Sequence, residues 1–132
     1  MAIFKINKKI INSSKNDFYF IAEIGHNHMG SVNLAMKMMR IAKECGANAV
    51  KLQKRDNRAL YTEKFYNQLY LNKNSYGSTY GVHRNALEFN FNQYKKLFNY
   101  SKKIKIDFFA TPFDIPSLKF LEKLNLPLYK IA

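Results

Sequence analysis

The chain is short of several things, and each shortage excludes something. It has one cysteine, no tryptophan, three prolines and five glycines in 132 residues, with 9 acidic side chains against 22 basic ones. A single cysteine rules out an internal disulfide framework and fits a reducing compartment. Cys45 falls in the last turn of a predicted helix, and its thiol is expected to face the core. No stretch approaches the ~20 apolar residues of a membrane-spanning helix, and the early lysines are not followed by an apolar run of signal-peptide length. A cytoplasmic protein without a membrane partner is the expectation. The length allows one ordinary core, and nothing suggests a second domain.

The shortage of acid leaves a net charge of +13 and a pI near 9.8. Such a balance invites a nucleic-acid reading. Eighteen of the 22 basic residues are lysines spread along the chain, in a sequence also heavy in Asn, Ile, Phe and Tyr. The pairs Lys8-Lys9, Lys95-Lys96 and Lys102-Lys103 are short and read as solvated faces. No nucleic-acid partner is expected, although a basic nucleic-acid-binding module stands as the non-enzymatic alternative.

What is present organises itself around FYFIAEIGHNHMG, residues 18 to 30. The run from Phe18 to Ile24 is apolar on both sides of its alternation, as in a parallel strand buried on two faces. Glu23 is the exception, a carboxylate near the strand's end that is costly to bury unless paired or used. Before this strand, residues 2 to 16 contain two short alternating runs, Ile3 to Ile6 and Lys9 to Ile11, which predict a β-hairpin. After it, Ser31 caps a helix with Ala35, Met38, Met39 and Ala42 on one face, stopped by Gly46. A second strand, ANAVKLQ, spans residues 47 to 53. The segment from Lys54 to Asn90 is too long for a plain connection, so a short helix near Glu63 to Leu71 and an aromatic, Gly-bearing binding loop are expected. Asn90 caps a helix to about Lys103, a third strand covers Ile106 to Thr111, and Asp114 caps a helix with Pro116 in its first turn. A fourth strand is predicted from Leu128.

The β-α-β-α-β-α-β order demands a parallel sheet with right-handed crossovers. The first strand-to-helix turn, GHNHMGS, lacks the G-x-G-x-x-G spacing of a dinucleotide site, which disfavours an open nucleotide-binding sheet. The expected fold is therefore α/β, the N-terminal half of a TIM (β/α)8 barrel over residues 1–132, four parallel strands with covering helices preceded by the hairpin. Glu23, Lys51, Gln53, Thr111 and Lys130 fall at or near the C-terminal ends of these strands, where barrels build their sites. Two lysines, a carboxylate, an amide and a hydroxyl describe a pocket for a substrate bearing phosphate or carboxylate.

The segments IAEIGHNHMGS, AVKLQ, TYGVHRNALEF, FFATPFD and YKIA resemble, in this order, the N-terminal half of the sialic acid synthase family. That resemblance implies condensation of phosphoenolpyruvate with an N-acyl-mannosamine-type amino sugar to a nonulosonic acid, with release of phosphate. It implies catalytic roles for Glu23, on the sugar side, and for Lys51 and Lys130. Substrate-binding roles follow for Gln53, Thr111 and, in the long loop, Asn74. A divalent metal, Mn or Mg, and a homodimer are implied for a full-length member, with the metal ligands outside this chain; the fragment alone is expected to be inactive. His26 and Met29 depart from the commoner spelling of the turn. No metal is assigned to His26 and His28, which have no third ligand within reach in the sequence. A Schiff-base barrel aldolase using Lys51 or Lys130 is the alternative within enzymes.

Overall fold

The computed structural model describes residues 3–7 and 9–132. Strands β1 (Ile3–Ile6) and β2 (Lys9–Asn12) pair antiparallel, Phe4 opposite Ile11. Lys8, in their connection, lies outside the described residues. Asn7 donates from Nδ2 to Asp107 Oδ1 at 2.6 Å, tying this ribbon to the main body.

The main sheet holds β3 (Ile21–Gly25), β4 (Ala49–Lys54) and β5 (Asp107–Pro112), parallel and in that order. Three long helices cover one face: α1 (Val32–Glu44), α5 (Phe91–Ile104) and α6 (Ile115–Glu122). Each begins where the sequence supplies a cap. Ser31 Oγ accepts from Leu34 N, Asn90 and Gln93 form a capping box, and Asp114 Oδ1 accepts from Ser117 N at 2.7 Å. Ile24, Val50, Leu52, Phe108 and Ala110 from the strands meet Ala35, Met39, Tyr94, Leu97 and Leu121 from the helices in one core. Leu97 is fully buried, and its truncation to Ala would cost about 2–5 kcal/mol.

Between β4 and α5 lie three short helices, α2 (Asn57–Leu60), α3 (Glu63–Tyr66) and α4 (Tyr80–Ala86). The predicted helix from Glu63 to Leu71 is thus a single turn, and the stretch read as a loop carries α4. Caps explain what apolar periodicity missed: Asp56, Thr62 and Thr79 each accept from a backbone N–H two or three residues on.

Several expectations are corrected. The first strand is not buried on two faces. It is an edge strand, with Phe18 63%, Phe20 60% and Ile21 45% exposed, and the Phe18 and Phe20 rings meet edge-to-face outside it at 4.8 Å. The stretch from Leu128 forms no strand; it makes one parallel bridge, Tyr129 to Ala110, and leaves Lys130 exposed. Among the described residues the parallel sheet therefore has three strands where four were expected. Cys45 caps the end of α1 and is exposed, because the core-facing stripe of that helix ends at Ala42. Among the described residues no helix is long and apolar enough to cross a membrane.

Candidate active site at the strand ends

The pleat of β4 decides which side chains can meet. Val50 and Leu52 point into the core under the helices, so Lys51 and Gln53 point to the opposite face. The register sets Glu23 of β3 directly opposite Lys51, and Phe109 of β5 opposite Lys51 on its other side. An irregularity between Glu23 and Gly25 shifts the pairing there, and Gly25 takes φ +55°. A bulge of this kind re-aims the side chain beside it.

Lys51 Nζ consequently forms an ion pair with Glu23 Oε2 and donates to Thr111 Oγ1 at 3.0 Å. Lys51 and Thr111 are buried, whereas the Glu23 side chain is 46% exposed and forms the open side of the cluster. The Gln53 amide lies alongside: a Cβ on Gly25 would sit 3.4 Å from Glu23 Oε1 and 3.6 Å from Gln53 Nε2. Glycine at position 25 thus supplies the turn and keeps space between these two side chains. An ammonium has three N–H donors, and two are used, so one remains for an anionic ligand.

Four of the predicted site residues, Glu23, Lys51, Gln53 and Thr111, are therefore brought together. The acidic partner of Lys51 comes from the adjacent strand, not from its own. Lys130 is exposed in the terminal segment, and Asn74 is exposed in the long loop, where its backbone N–H donates to Asn72 Oδ1 at 2.8 Å. Neither makes a polar contact with the cluster. The Nζ of Lys51 is committed as a donor to a carboxylate and a hydroxyl, which disfavours the Schiff-base alternative; that chemistry needs a free amine lone pair.

A second polar cluster escaped sequence reasoning. Glu88, from the turn before α5, accepts from His26 Nε2 at 3.1 Å through Oε1, and from Lys54 Nζ at 3.0 Å and Arg55 N at 3.2 Å through Oε2. Burial pushes the Glu88 carboxyl up, but the hydrogen bond from His26 and the charge and hydrogen bond of Lys54 outweigh it and hold Glu88 below the usual carboxylate range. Arg84 donates to His26 Nδ1 at 3.0 Å. A guanidinium can only donate, so His26 accepts at Nδ1, carries its proton on Nε2 and donates from there to Glu88 Oε1. His28 is almost fully buried, stacks on Phe89 at 4.1 Å and accepts from Gly30 N at Nδ1. Burial first, and the nearby His26 second, lower its pKa to about 4. The only sequence signal for Glu88 was its place in TYGVHRNALEF.

These commitments decide the metal question for the pair of histidines. Both ring nitrogens of His26 are engaged, as is Nδ1 of His28, so this turn does not fit a metal ion. Among the described residues no group of three or more His, Cys, Asp and Glu could hold one.

A parallel sheet covered by helices on one face, with a Lys–Glu–Thr–Gln cluster on the other face toward the strands' C-terminal ends, defines an α/β domain with its polar cluster where barrel enzymes place their sites. Comparison with known proteins narrows the class. Residues 38–132 match the NeuB family, and the chain belongs to that family. It is 42% identical over 118 residues to the N-acetylneuraminate-9-phosphate synthase of Mus musculus, covering 89% of this chain and 33% of that protein. The enzyme of the same name from Drosophila melanogaster is 41% identical over 127 residues, covering 96% and 33%. N,N'-diacetyllegionaminic acid synthase of Campylobacter jejuni is 36% identical over 114 residues, covering 84% and 34%. Among solved structures, the sialic acid synthetase of Leptospira borgpetersenii superposes with a TM-score of 0.74 at 29% identity, over 99% of this chain and 41% of that one. The chain spans about a third of the length of the curated relatives it matches.

Proposed function

We propose that this chain forms the N-terminal part of a phosphoenolpyruvate-dependent nonulosonic acid synthase, folded as the first portion of a TIM barrel. The observation that carries the reading is the Lys51 ammonium, buried between Glu23 and Thr111 with one N–H free on the sheet face away from the helices. Phosphoenolpyruvate brings a phosphate and a carboxylate, and Lys51 and Thr111 offer charge and a hydroxyl to one of them. Lys130 joins them, by family resemblance, if parallel pairing extends beyond the Tyr129–Ala110 bridge. Glu23, on the open side, serves the sugar together with Gln53, and Asn74 reaches that sugar from the loop.

In the proposed reaction the methylene carbon of phosphoenolpyruvate attacks the aldehyde carbon of an N-acyl-mannosamine-type sugar, forming the C–C bond. C2 of the enol phosphate becomes an oxocarbenium-like centre and adds water; one water proton ends on the former aldehyde oxygen, now a hydroxyl, and the other leaves with inorganic phosphate as the tetrahedral adduct collapses to the ketone by C–O cleavage. Holding the two reactants face to face is the main service such a site renders. A divalent metal and a homodimeric assembly belong to the reading for a full-length member; no step above is assigned to either.

The test is a titration of phosphoenolpyruvate into the 132-residue chain, followed by amide shifts at Thr111 and Lys51, with Lys51→Met as the control. Saturable shifts that vanish in the variant support the reading. Shifts that persist in Lys51→Met, or none at millimolar ligand, would remove Lys51 from the site. The chain by itself should release no phosphate from phosphoenolpyruvate and N-acetylmannosamine.

A further inference from the structure

At the opposite end of the strands from Gln53 and Thr111, the structure has a large open cleft of about 1150 Å³. It lies where the last turns of α1 and α5 meet the starts of β4 and β5, flanked by the β1–β2 ribbon. Lys9, Lys43, Lys102 and Lys105 line it, and Asp107 is the one carboxylate among its lining residues. Both oxygens of Asp107 are engaged: Oδ1 accepts from Asn7 Nδ2 at 2.6 Å and Oδ2 from the Tyr19 hydroxyl. None of the four lysines has a carboxylate within ion-pair distance among the described residues. Lys9 Nζ donates to Phe18 O at 3.1 Å, Lys43 Nζ donates to Lys105 O at 2.8 Å, and Lys102 Nζ lies 4.0 Å from the centroid of the Phe98 ring. An ammonium carries three N–H donors, so most of the donors at this cleft are unspent.

Part of this charge has an ordinary explanation. Lys43 and Lys102 belong to the last turns of α1 and α5, where a cation offsets the negative end of the helix dipole, about half a charge per helix. The two helix ends and Asp107 together answer about two of the four positive charges, and about two are left over. Lys105 points the same way by a different route. It follows α5 with φ +56°, in the left-handed region where glycine is the usual residue and a side chain is strained. Its carbonyl is the one that Lys43 holds, and a glycine would offer the same carbonyl. What the lysine adds at this strained position is an ammonium on the cleft. Two surplus positive charges match a phosphate monoester, which carries about −1.5 to −2 at neutral pH. The volume is far more than a bare phosphate fills, and the half-buried Phe98 and exposed Pro127 give the cleft apolar surface. Charge and shape together suit a phosphate joined to a planar or apolar body.

We infer that this cleft is a second ligand site, one that takes a phosphate monoester with a planar body, such as a nucleoside monophosphate, and that Lys102 and Lys105 are its main anion contacts. The inference does not rest on the synthase reading, since none of Glu23, Lys51, Gln53 and Thr111 lines the cleft. The probe is adenosine 5′-monophosphate, titrated into the 132-residue chain at about 0.15 M salt, with adenosine and inorganic phosphate for comparison and the backbone amide resonances followed. The nucleotide should shift Asn48, Ser101 and Lys105 saturably, leave Lys51 and Thr111 unmoved, and bind ~10-fold more tightly than either comparison. Lys105→Gly should weaken it ~3- to 5-fold while raising the unfolding midpoint, and adding Lys102→Gln should bring the loss to ~10-fold. Lys95→Gln with Lys96→Gln removes the same charge from exposed positions earlier on α5, outside the cleft, and should change the affinity less than ~2-fold. Equal losses from the two pairs would overturn the inference, because the nucleotide would then be held by the net charge of +13 and not by a site. An unchanged affinity in Lys105→Gly, shifts centred on Lys51 and Thr111, or no saturable shift at millimolar nucleotide would overturn it as well. Inorganic phosphate binding as tightly as the nucleotide would mean an adventitious ion only, and adenosine binding as tightly would remove the lysines from the contact.

Discussion

Replacing Glu88 by Gln tests whether the second cluster is the joint between three connecting segments. Both carboxylate oxygens accept: Oε1 from His26, Oε2 from Lys54 and from the Arg55 backbone. A glutamine amide puts an NH2 where one of those oxygens was. If the NH2 faces Lys54 and Arg55 N, two donors lose their acceptor and one of them is charged. If it faces His26, the imidazole cannot turn acceptor on that side, because Arg84 already donates to its other nitrogen. Either orientation leaves donors opposed in a site where the Glu88 side chain is 10% exposed. The expected loss is about 2–3 kcal/mol for Glu88→Gln and about 3–5 kcal/mol for Glu88→Ala, which leaves the buried Lys54 ammonium with the Arg55 carbonyl and no carboxylate. Urea unfolding at pH 7, followed by circular dichroism with the slope held common, measures both. The pH dependence supplies an independent check. The folded carboxyl titrates below its ordinary 4.5, so its contribution is fully present above 4.5 and disappears as pH falls through the lower folded value. The gap between parent and Gln variant should close in that acid range. A Gln variant within about 0.5 kcal/mol of the parent at pH 7 would refute the reasoning, since ordinary surface changes fall in that range.

His28 titrates at about 4 in the folded chain against an ordinary 6.5, so the unfolded chain takes up its proton first; stability should fall as pH drops from 6.5 to about 4, and His28→Phe should flatten that slope in urea titrations. Gly30 has φ +74°, and a Cβ there would collide with the Ala86 carbonyl; Gly30→Ala should cost more than the ~1–2 kcal/mol of left-handed strain alone, read as a lowered unfolding midpoint. Lys51→Met should weaken phosphoenolpyruvate binding ~30- to 150-fold by calorimetry, while Lys130→Met, exposed in this chain, should change it far less.

Long elements with caps were legible in the sequence. Ser31, Asn90 and Asp114 announced α1, α5 and α6, and the parity of β4 foretold that Lys51 and Gln53 share a face. What failed did so for physical reasons. Phe18 to Ile24 reads as a doubly buried strand because apolarity cannot distinguish a buried face from an edge awaiting a neighbour; only the pairing of β3 with a single partner does. Helices α2, α3 and α4 are too short to show a 3.6-residue period, so caps were their sole signal. Lys130 sits in a stretch whose alternation suggests a strand, yet its pairing amounts to one bridge. Glu88 was invisible for another reason: its partners are 34 and 62 residues away, and a lone Glu in a loop says nothing about them.

The alternation of β4 divides its labour between chemistry and scaffold. Lys51, Gln53 and Arg55 occupy the face turned away from the helices, and Lys54, on the other parity, reaches back toward Glu88 and lies 4.9 Å from the Phe120 ring of α6. Consecutive lysine and arginine therefore have opposite fates: Lys54 is neutralised inside the fold, and Arg55 is left without a carboxylate. The backbone N–H of Arg55 is nevertheless fixed by Glu88, the acceptor that also holds Lys54. One carboxylate thus sets the position of the strand end from which the unpaired guanidinium projects, without spending its charge on that guanidinium. A one-residue slip of β4 would exchange the two faces, burying Lys51 and Gln53 in the core and turning Val50 and Leu52 toward the site. Val50 is paired with Ala22 on one side and Phe108 on the other, and Leu52 with Ala110, all in the core under the helices; burial of this apolar row is what holds that register.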